Sequence, residues 1–260
     1  MTHSLKAEFV DEEFDAGVLR IELKSGPAHP LSLGMIRALH TSVIAAADNN
    51  LVSVIVIHGP GRIFCAGHDL KEIASHRSDD DQGRGYLNTL FNECSAMMQA
   101  LVNSPKPTIA LVEGLATAGG LQLVASCDLA FASEQAAVCL PGVSMGGFCT
   151  TPAVAVARKL PRNTMMELAL SSETYNADWA RQAGLFNRVT HADNLITETM
   201  AFAKTLATRN PQAIALGKQA LLRQVEMPLD EAYIYATDVM IEHFMDPTQI
   251  ANEQAKWAKS

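Results

Sequence analysis

An uninterrupted apolar run, Thr108-Ile109-Ala110-Leu111-Val112, enters a stretch in which side chains thin to Ala and Gly: Glu113-Gly114-Leu115-Ala116-Thr117-Ala118-Gly119-Gly120-Leu121-Gln122. A strand apolar on both faces needs cover on both, so the feature constrains the chain to α/β layering. Val52–Ile57 leads in the same way to Phe64-Cys65-Ala66-Gly67-His68-Asp69-Leu70-Lys71. Small residues let backbone N–H groups approach a ligand closely, and a helix starting between Thr117 and Gly119 would offer its unpaired first-turn N–H groups there. Two such donors from separate segments, aimed at one oxygen, are what a developing enolate or thioester oxyanion requires. Each stretch taken alone is also compatible with an ordinary turn after a strand.

Around these stretches the pattern alternates between strands and helices. Val18–Leu23 alternates apolar and polar residues, as a half-exposed strand does. Ser32 can cap a helix with Ile36, Leu39 and Val43 on one face, and the order strand, helix, strand implies parallel pairing. Residues 75–86 form a polar, charged insertion, expected as a mobile lid or surface loop. Leu90, Cys94, Met97, Met98 and Leu101 keep helical spacing up to Pro105. Leu129–Ala132, Ala137–Leu140 and Leu185–Val189 read as strands, and Ala153–Ala157 as a further apolar run. Pro161 starts a helix, and Asn176 caps another that ends at Gly184. From Ala192 only helical patterns follow. The expected organisation is therefore a core over 1–191 and a helical lobe over 192–260.

The 260 residues, 48% hydrophobic, can bury a full core with a smaller appendage. A formal charge of −8 and the absence of any Lys/Arg run argue against nucleic acid as a partner. No apolar stretch approaches the ~20 residues needed to span a bilayer, so no membrane partner is expected. The five cysteines form no CxxC pair and have no His at ligand spacing. Together with an N-terminus lacking an apolar targeting core, they lead to an expectation of a reduced, cytoplasmic protein without a bound metal. Asp79-Asp80-Asp81 reads as a solvated loop, since adjacent carboxylates lack the spacing of a calcium loop.

FCAGHDLKEI, followed some fifty residues later by VEGLATAGGLQLVASCDLAFAS, closely resembles the crotonase, or enoyl-CoA hydratase/isomerase, superfamily. Glu173–Ala177 and Ala183-Gly184-Leu185 fit the later segment of that family. The resemblance implies an α/β fold, a spiral of ββα units with a C-terminal helical lobe that mediates trimers, or hexamers built from two trimers. It places the oxyanion donors on the backbone N–H groups of His68 and Gly119. It places the coenzyme A wrapping on Ala66, Gly67, His68, Asp69, Leu70 and Lys71. Coenzyme A then enters as part of an acyl-CoA thioester substrate, with no separate cofactor.

The same resemblance pairs the two hydratase glutamates of the family with Gln122 and Gly142. Gln122 can hydrogen-bond but cannot exchange a proton near neutral pH, and Gly142 has no side chain. His29-Pro30-Leu31 also stands where many relatives have Asn-Ala-Leu. The combination of Gly67-His68-Asp69 with Gln122, Pro141-Gly142-Val143 and Phe148-Cys149 resembles a branch of the superfamily with mitochondrial members. The Ala-Gly-His-Asp segment is also similar to that of methylmalonyl-CoA decarboxylase.

Several functions therefore stay open on the sequence. The first is a lyase- or isomerase-type enzyme of fatty acid metabolism that polarises the thioester carbonyl without the two glutamates, decarboxylation being one such reaction. The others are a non-catalytic acyl-CoA binder and a weak residual hydratase. Individual residues carry paired readings as well. The His68 ring either meets a substrate carboxylate or only packs, and Cys149 is either a nucleophile or a small apolar filler. Lys71 either reaches a coenzyme A phosphate or is solvated, and Asp128 anchors a strand start.

Overall fold

The computed structural model describes residues 3–6 and 8–257. The chain starts with three strands, β1 (His3–Lys6), β2 (Val10–Asp15) and β3 (Val18–Leu23), and then the helix α1 (Leu33–Asp48). Ser32 caps α1, its Oγ accepting the Met35 N–H at 3.1 Å. Next come β4 (Val54–Gly59), β5 (Ile63–Cys65), α2 (Leu70–Ser75), α3 (Arg84–Asn103), β6 (Thr108–Val112), β7 (Leu115–Thr117) and α4 (Gly119–Ser126). β8 (Leu129–Ser133), β9 (Ala137–Cys139), α5 (Thr150–Val156), α6 (Arg162–Ser171), β10 (Thr174–Asn176), α7 (Ala177–Ala183), β11 (Arg188–Thr190) and α8 (Ala192–Ala207) complete the first compact unit, which ends at Thr208.

Seven strands form one sheet in the order β1-β2-β3-β4-β6-β8-β11, parallel from β3 onward, and four form a second in the order β10-β9-β7-β5. Successive strands alternate between the sheets, with β4, β6 and β8 in the first and β5, β7 and β9 in the second. A helix follows each pair, which is the ββα spiral expected. Along β4 the pleat sends Ile55 and Ile57 into the main core, while Val54 and Val56 pack with Ile109, Leu111, Leu195 and Ala203 on the other face. α8 supplies Leu195 and Ala203 and thereby covers that second face, so β4 and β6 are buried throughout.

Several expectations change. The boundary at 191/192 moves to 208/209, because α8 lies on β3, β4, β6 and β8 and belongs with the sheet. Val18–Leu23 is paired on both edges and mostly buried rather than half-exposed. Residues 75–86 hold a surface segment as expected, with a 3-10 turn over His76–Ser78, exposed turns over 79–82 and the start of α3 at Arg84. Within this segment Asp81 Oδ1 and Oδ2 accept the N–H groups of Gly83 (2.9 Å) and Gly85 (2.7 Å), and the His76 ring pairs with Asp79 at 2.8 Å.

The second unit, residues 209–260, contains α9 (Pro211–Gln224), α10 (Leu229–Met245) and α11 (Pro247–Trp257). Asn210 caps α9 ahead of Pro211 at its first position. This unit exposes Leu221, Val225, Tyr233, Ile234, Ile241 and Phe244. No described helix is long and apolar enough to cross a membrane.

Candidate functional site

The first glycine-containing stretch is held from one side by the segment after β3. Ala66 N–H donates to the Ala28 carbonyl (2.9 Å), Leu31 N–H to the Gly67 carbonyl (2.8 Å) and Asp69 N–H to the Leu31 carbonyl (3.3 Å). This short parallel bridge uses the groups flanking His68, so the N–H of His68 itself points away from Leu31. Gly67 has φ +82, which glycine adopts without a Cβ clash. Asp69 then caps α2, Oδ1 accepting from Lys71 N (2.9 Å) and Glu72 N (3.2 Å). Leu70 and Lys71 are exposed on its first turn.

The second stretch arrives from β7. Ala118 sits at φ 50 and ψ −119, an unusual backbone for a residue with a side chain, and its N–H donates to the Cys139 carbonyl at 3.0 Å. Gly119 is the first residue of α4, where the helix leaves N–H groups without intrahelical partners. A Cβ placed on Gly67 would stand 2.9 Å from Gly119 N, and one on Gly119 would stand 3.7 Å from His68 N. The two stretches therefore meet, with the Leu31 side chain against them: its Cδ1 would stand 3.1 Å from a Cβ on Gly119.

Around this junction lie polar atoms without partners. Gln122, one turn into α4, is buried, and its Oε1 accepts no hydrogen bond; both ring nitrogens of His68 are likewise buried and unpaired. Burial holds His68 below the usual imidazole range, with the Leu31 backbone acting weakly the other way, so the ring is neutral at pH 7. Its edge meets Phe91 at a centroid distance of 5.0 Å. Tyr86 stacks on His76 at 3.9 Å, and burial together with nearby Glu72 pushes its hydroxyl upward. Phe91 and Gln122 also line a cleft of about 370 Å³ between α3, α4 and α5.

Gly142 follows β9, three residues beyond Cys139. A Cβ there would lie 2.5 Å from Cys149 N and 2.8 Å from the Phe148 carbonyl carbon, because residues 143–148 fold back over it. The Gly147 and Met145 N–H groups donate to its carbonyl at 2.9 and 3.2 Å. Burial raises the Cys149 thiol, which keeps it protonated and unlike an activated nucleophile. Asp128 accepts from Thr108 N (2.8 Å) and Thr108 Oγ1 (3.0 Å), tying β8 to β6. Among the described residues, no group of three His, Cys, Asp or Glu side chains could hold a metal ion.

One polar network near this region was not legible beforehand. His58 is 2% exposed at the end of β4, with Nε2 2.8 Å from Glu113 Oε1 and Nδ1 3.2 Å from both Glu22 Oε2 and Arg20 Nη1. Glu113 Oε2 also accepts the Gly61 N–H at 2.7 Å, and His29 Nε2 lies 3.1 Å from the Pro60 carbonyl. The corner 59–61 that leads into β5 is thus fixed at both ends. Burial alone would lower His58, but Glu113 and Glu22 outweigh it and its pKa is raised; both carboxyls are held below their usual range, chiefly by His58. Its signals in the sequence were a lone His closing an apolar strand and a Glu just after another.

A ββα spiral whose second turn sets a bare helix start against a bare loop defines the crotonase type of α/β protein. The profile of the enoyl-CoA hydratase/isomerase family matches residues 13–257, and the chain belongs to that family. It is 39% identical over 213 residues to the mouse mitochondrial enoyl-CoA hydratase domain-containing protein 3, covering 82% of this chain and 69% of that protein. The crystal structure of an enoyl-CoA hydratase/isomerase family protein from Silicibacter pomeroyi superposes with a TM-score of 0.88 at 54% identity, over 92% of this chain and 100% of the other. That of human enoyl-CoA hydratase domain-containing protein 3 gives a TM-score of 0.88 at 34% identity, over 99% and 97%. The branch resembled by the Gly67-His68-Asp69 and Gln122 combination is the one these mouse and human relatives represent.

Proposed function

We propose that the protein binds acyl-CoA thioesters and polarises the thioester carbonyl between the N–H groups of His68 and Gly119. The close packing of Gly67–His68 against Gly119 carries this reading, since it brings two donors from distant segments to one place. Ala66–Lys71 would wrap the coenzyme A portion, which belongs to the substrate and not to a resident cofactor. The first-turn N–H groups of α4 add the positive end of the helix dipole.

With Gln122 in one family glutamate position and the chain folded over Gly142 in the other, the arrangement does not favour water addition by a carboxylate pair. It favours a step in which the substrate supplies its own electron pair. In a malonyl-type thioester the bond to the free carboxylate breaks, CO₂ leaves, and the electron pair enters a thioester enolate held by the two N–H groups. A proton then adds at the α carbon. The neutral His68 ring and the NH₂ group of Gln122 would orient the leaving carboxylate. A trimer or a hexamer built on the exposed apolar face of the C-terminal helices, working in the cytoplasm, completes the reading.

Calorimetry with octanoyl-CoA and its thioether analogue octyl-CoA, which lacks the carbonyl, tests the cradle. Two neutral hydrogen bonds at about 0.5–1.5 kcal/mol each give the thioester roughly tenfold tighter binding. Equal affinities would remove the cradle. Turnover of malonyl-CoA with none of crotonyl-CoA is the catalytic outcome expected; binding without turnover of either leaves a non-catalytic acyl-CoA protein.

A further inference from the structure

We infer that the cleft between α3, α4 and α5 receives an acyl group whose far end carries a carboxylate, and that Arg158 is the residue that selects it. The inference rests on the carbonyl cradle proposed above, independently of the decarboxylation step, and specifies a class of acyl group that the same site binds.

The cleft opens beside the cradle, because Gln122 lies three residues beyond Gly119 on α4 and Phe91 touches the His68 ring. Its inner wall is apolar: Cys94 and Met98 are buried, and burial pushes the Cys94 thiol up to about 12, so it carries no charge. The outer rim is polar, with Gln99, Asn103 and Arg158 exposed. Among the described residues Arg158 is the one charged residue lining the cleft, and no carboxylate among them lines it. Among the described residues Arg158 enters no ion pair; its Nη1 donates to the Val154 carbonyl at 2.7 Å, which leaves most of its five N–H donors for another acceptor.

The length of the cleft follows from α4: Ser126, the last residue of that helix, lines it together with Arg158, whereas Gly119 is at the N-terminal end. From Gly119 to Ser126 the helix rises about 10 Å at ~1.5 Å per residue. An extended alkyl chain advances about 1.25 Å per carbon, from a ~1.52 Å bond at a ~111° angle, so about eight carbons cover that span. An apolar channel with one oriented polar group at each end is how ligand pockets combine affinity with specificity. A guanidinium can grip a carboxylate through two parallel hydrogen bonds.

The test is calorimetry of the full chain with octanoyl-CoA and suberoyl-CoA, which share eight carbons and differ in the terminal carboxylate. The expected result is suberoyl-CoA binding about fivefold tighter, as a partly exposed ion pair gives. That preference should disappear in Arg158→Gln, survive in Arg158→Lys, and shrink at high salt. Equal affinities in the wild type, or a preference that Arg158→Gln leaves intact, would overturn the inference and leave the thioester site standing. If neither thioester binds to protein that is folded by circular dichroism, the thioester site falls and this inference with it.

Discussion

Two bends lacking side chains, the Gly67–Gly119 junction and Gly142, serve opposite ends. At the junction the missing Cβ atoms let the backbone of Gly67–His68 come up against Gly119. At Gly142 the space a side chain would take is filled by the backbone of Phe148 and Cys149. A glycine therefore marks backbone access in one place and closure in another, and only the segment packed against it decides which.

The largest effect bearing on this contrast is expected at Gly120. A Cβ there would overlap the Cys65 carbonyl, which joins α4 to the end of β5. Gly120→Ala should cost about 3 kcal/mol, at the upper end for overpacking, and lower the urea midpoint. A loss below about 1 kcal/mol would show that the junction is not rigidly held.

Next comes Gly142→Glu, expected to cost about 1–3 kcal/mol through its clash with the 148–149 backbone. Combined with Gln122→Glu it should yield no hydration of crotonyl-CoA in a spectrophotometric assay. Newly gained hydration would mean that the bend opens and that the contrast drawn here is wrong.

The smallest effect concerns the corner that leads into β5. His58→Gln should cost about 1–2 kcal/mol by removing its hydrogen bonds to Glu113 and Glu22. Because the folded-state pKa of His58 is raised, its contribution is fully present below the unfolded value near 6.5 and is lost as pH rises through the folded value. The depressed carboxyls behave oppositely: their contribution is present above their unfolded value near 4.5 and is lost as pH falls through their folded values. Urea unfolding should therefore separate wild type from variant most between about pH 4.5 and 6.5, and less at pH 9. A difference independent of pH would show that the network acts by packing alone.

Much of the architecture was legible because its signals are local. Ser32, Asn176 and Gly184 mark helix ends through their own side chain or backbone, β4 announces itself by the β-branched run Val54–Ile57 and β6 by the apolar run Ile109–Val112. β5 and β7, at three residues each, are too short for periodicity to register and are defined only by pairing. α8 carries an amphipathic pattern that fits a helical lobe or a helix on a sheet equally well. At the site, the family motifs indicated His68 and Gly119, but the closure over Gly142 and the partners of His58 depend on residues distant in sequence. The same is true of Arg158, whose place on the rim of the α3–α4–α5 cleft follows from the packing of α5 against α4.

The junction also sets a condition on how the molecule comes into being. It joins Leu31, Gly67–His68 and Gly119, so roughly ninety residues must be positioned before two of their nitrogens meet. Parallel strands add to this, since their pairing closes long loops before any contact rewards them. No local fragment, hairpin or single helix can bring the two stretches together, and the junction is absent from any partly folded state in which α4 has not docked on β5.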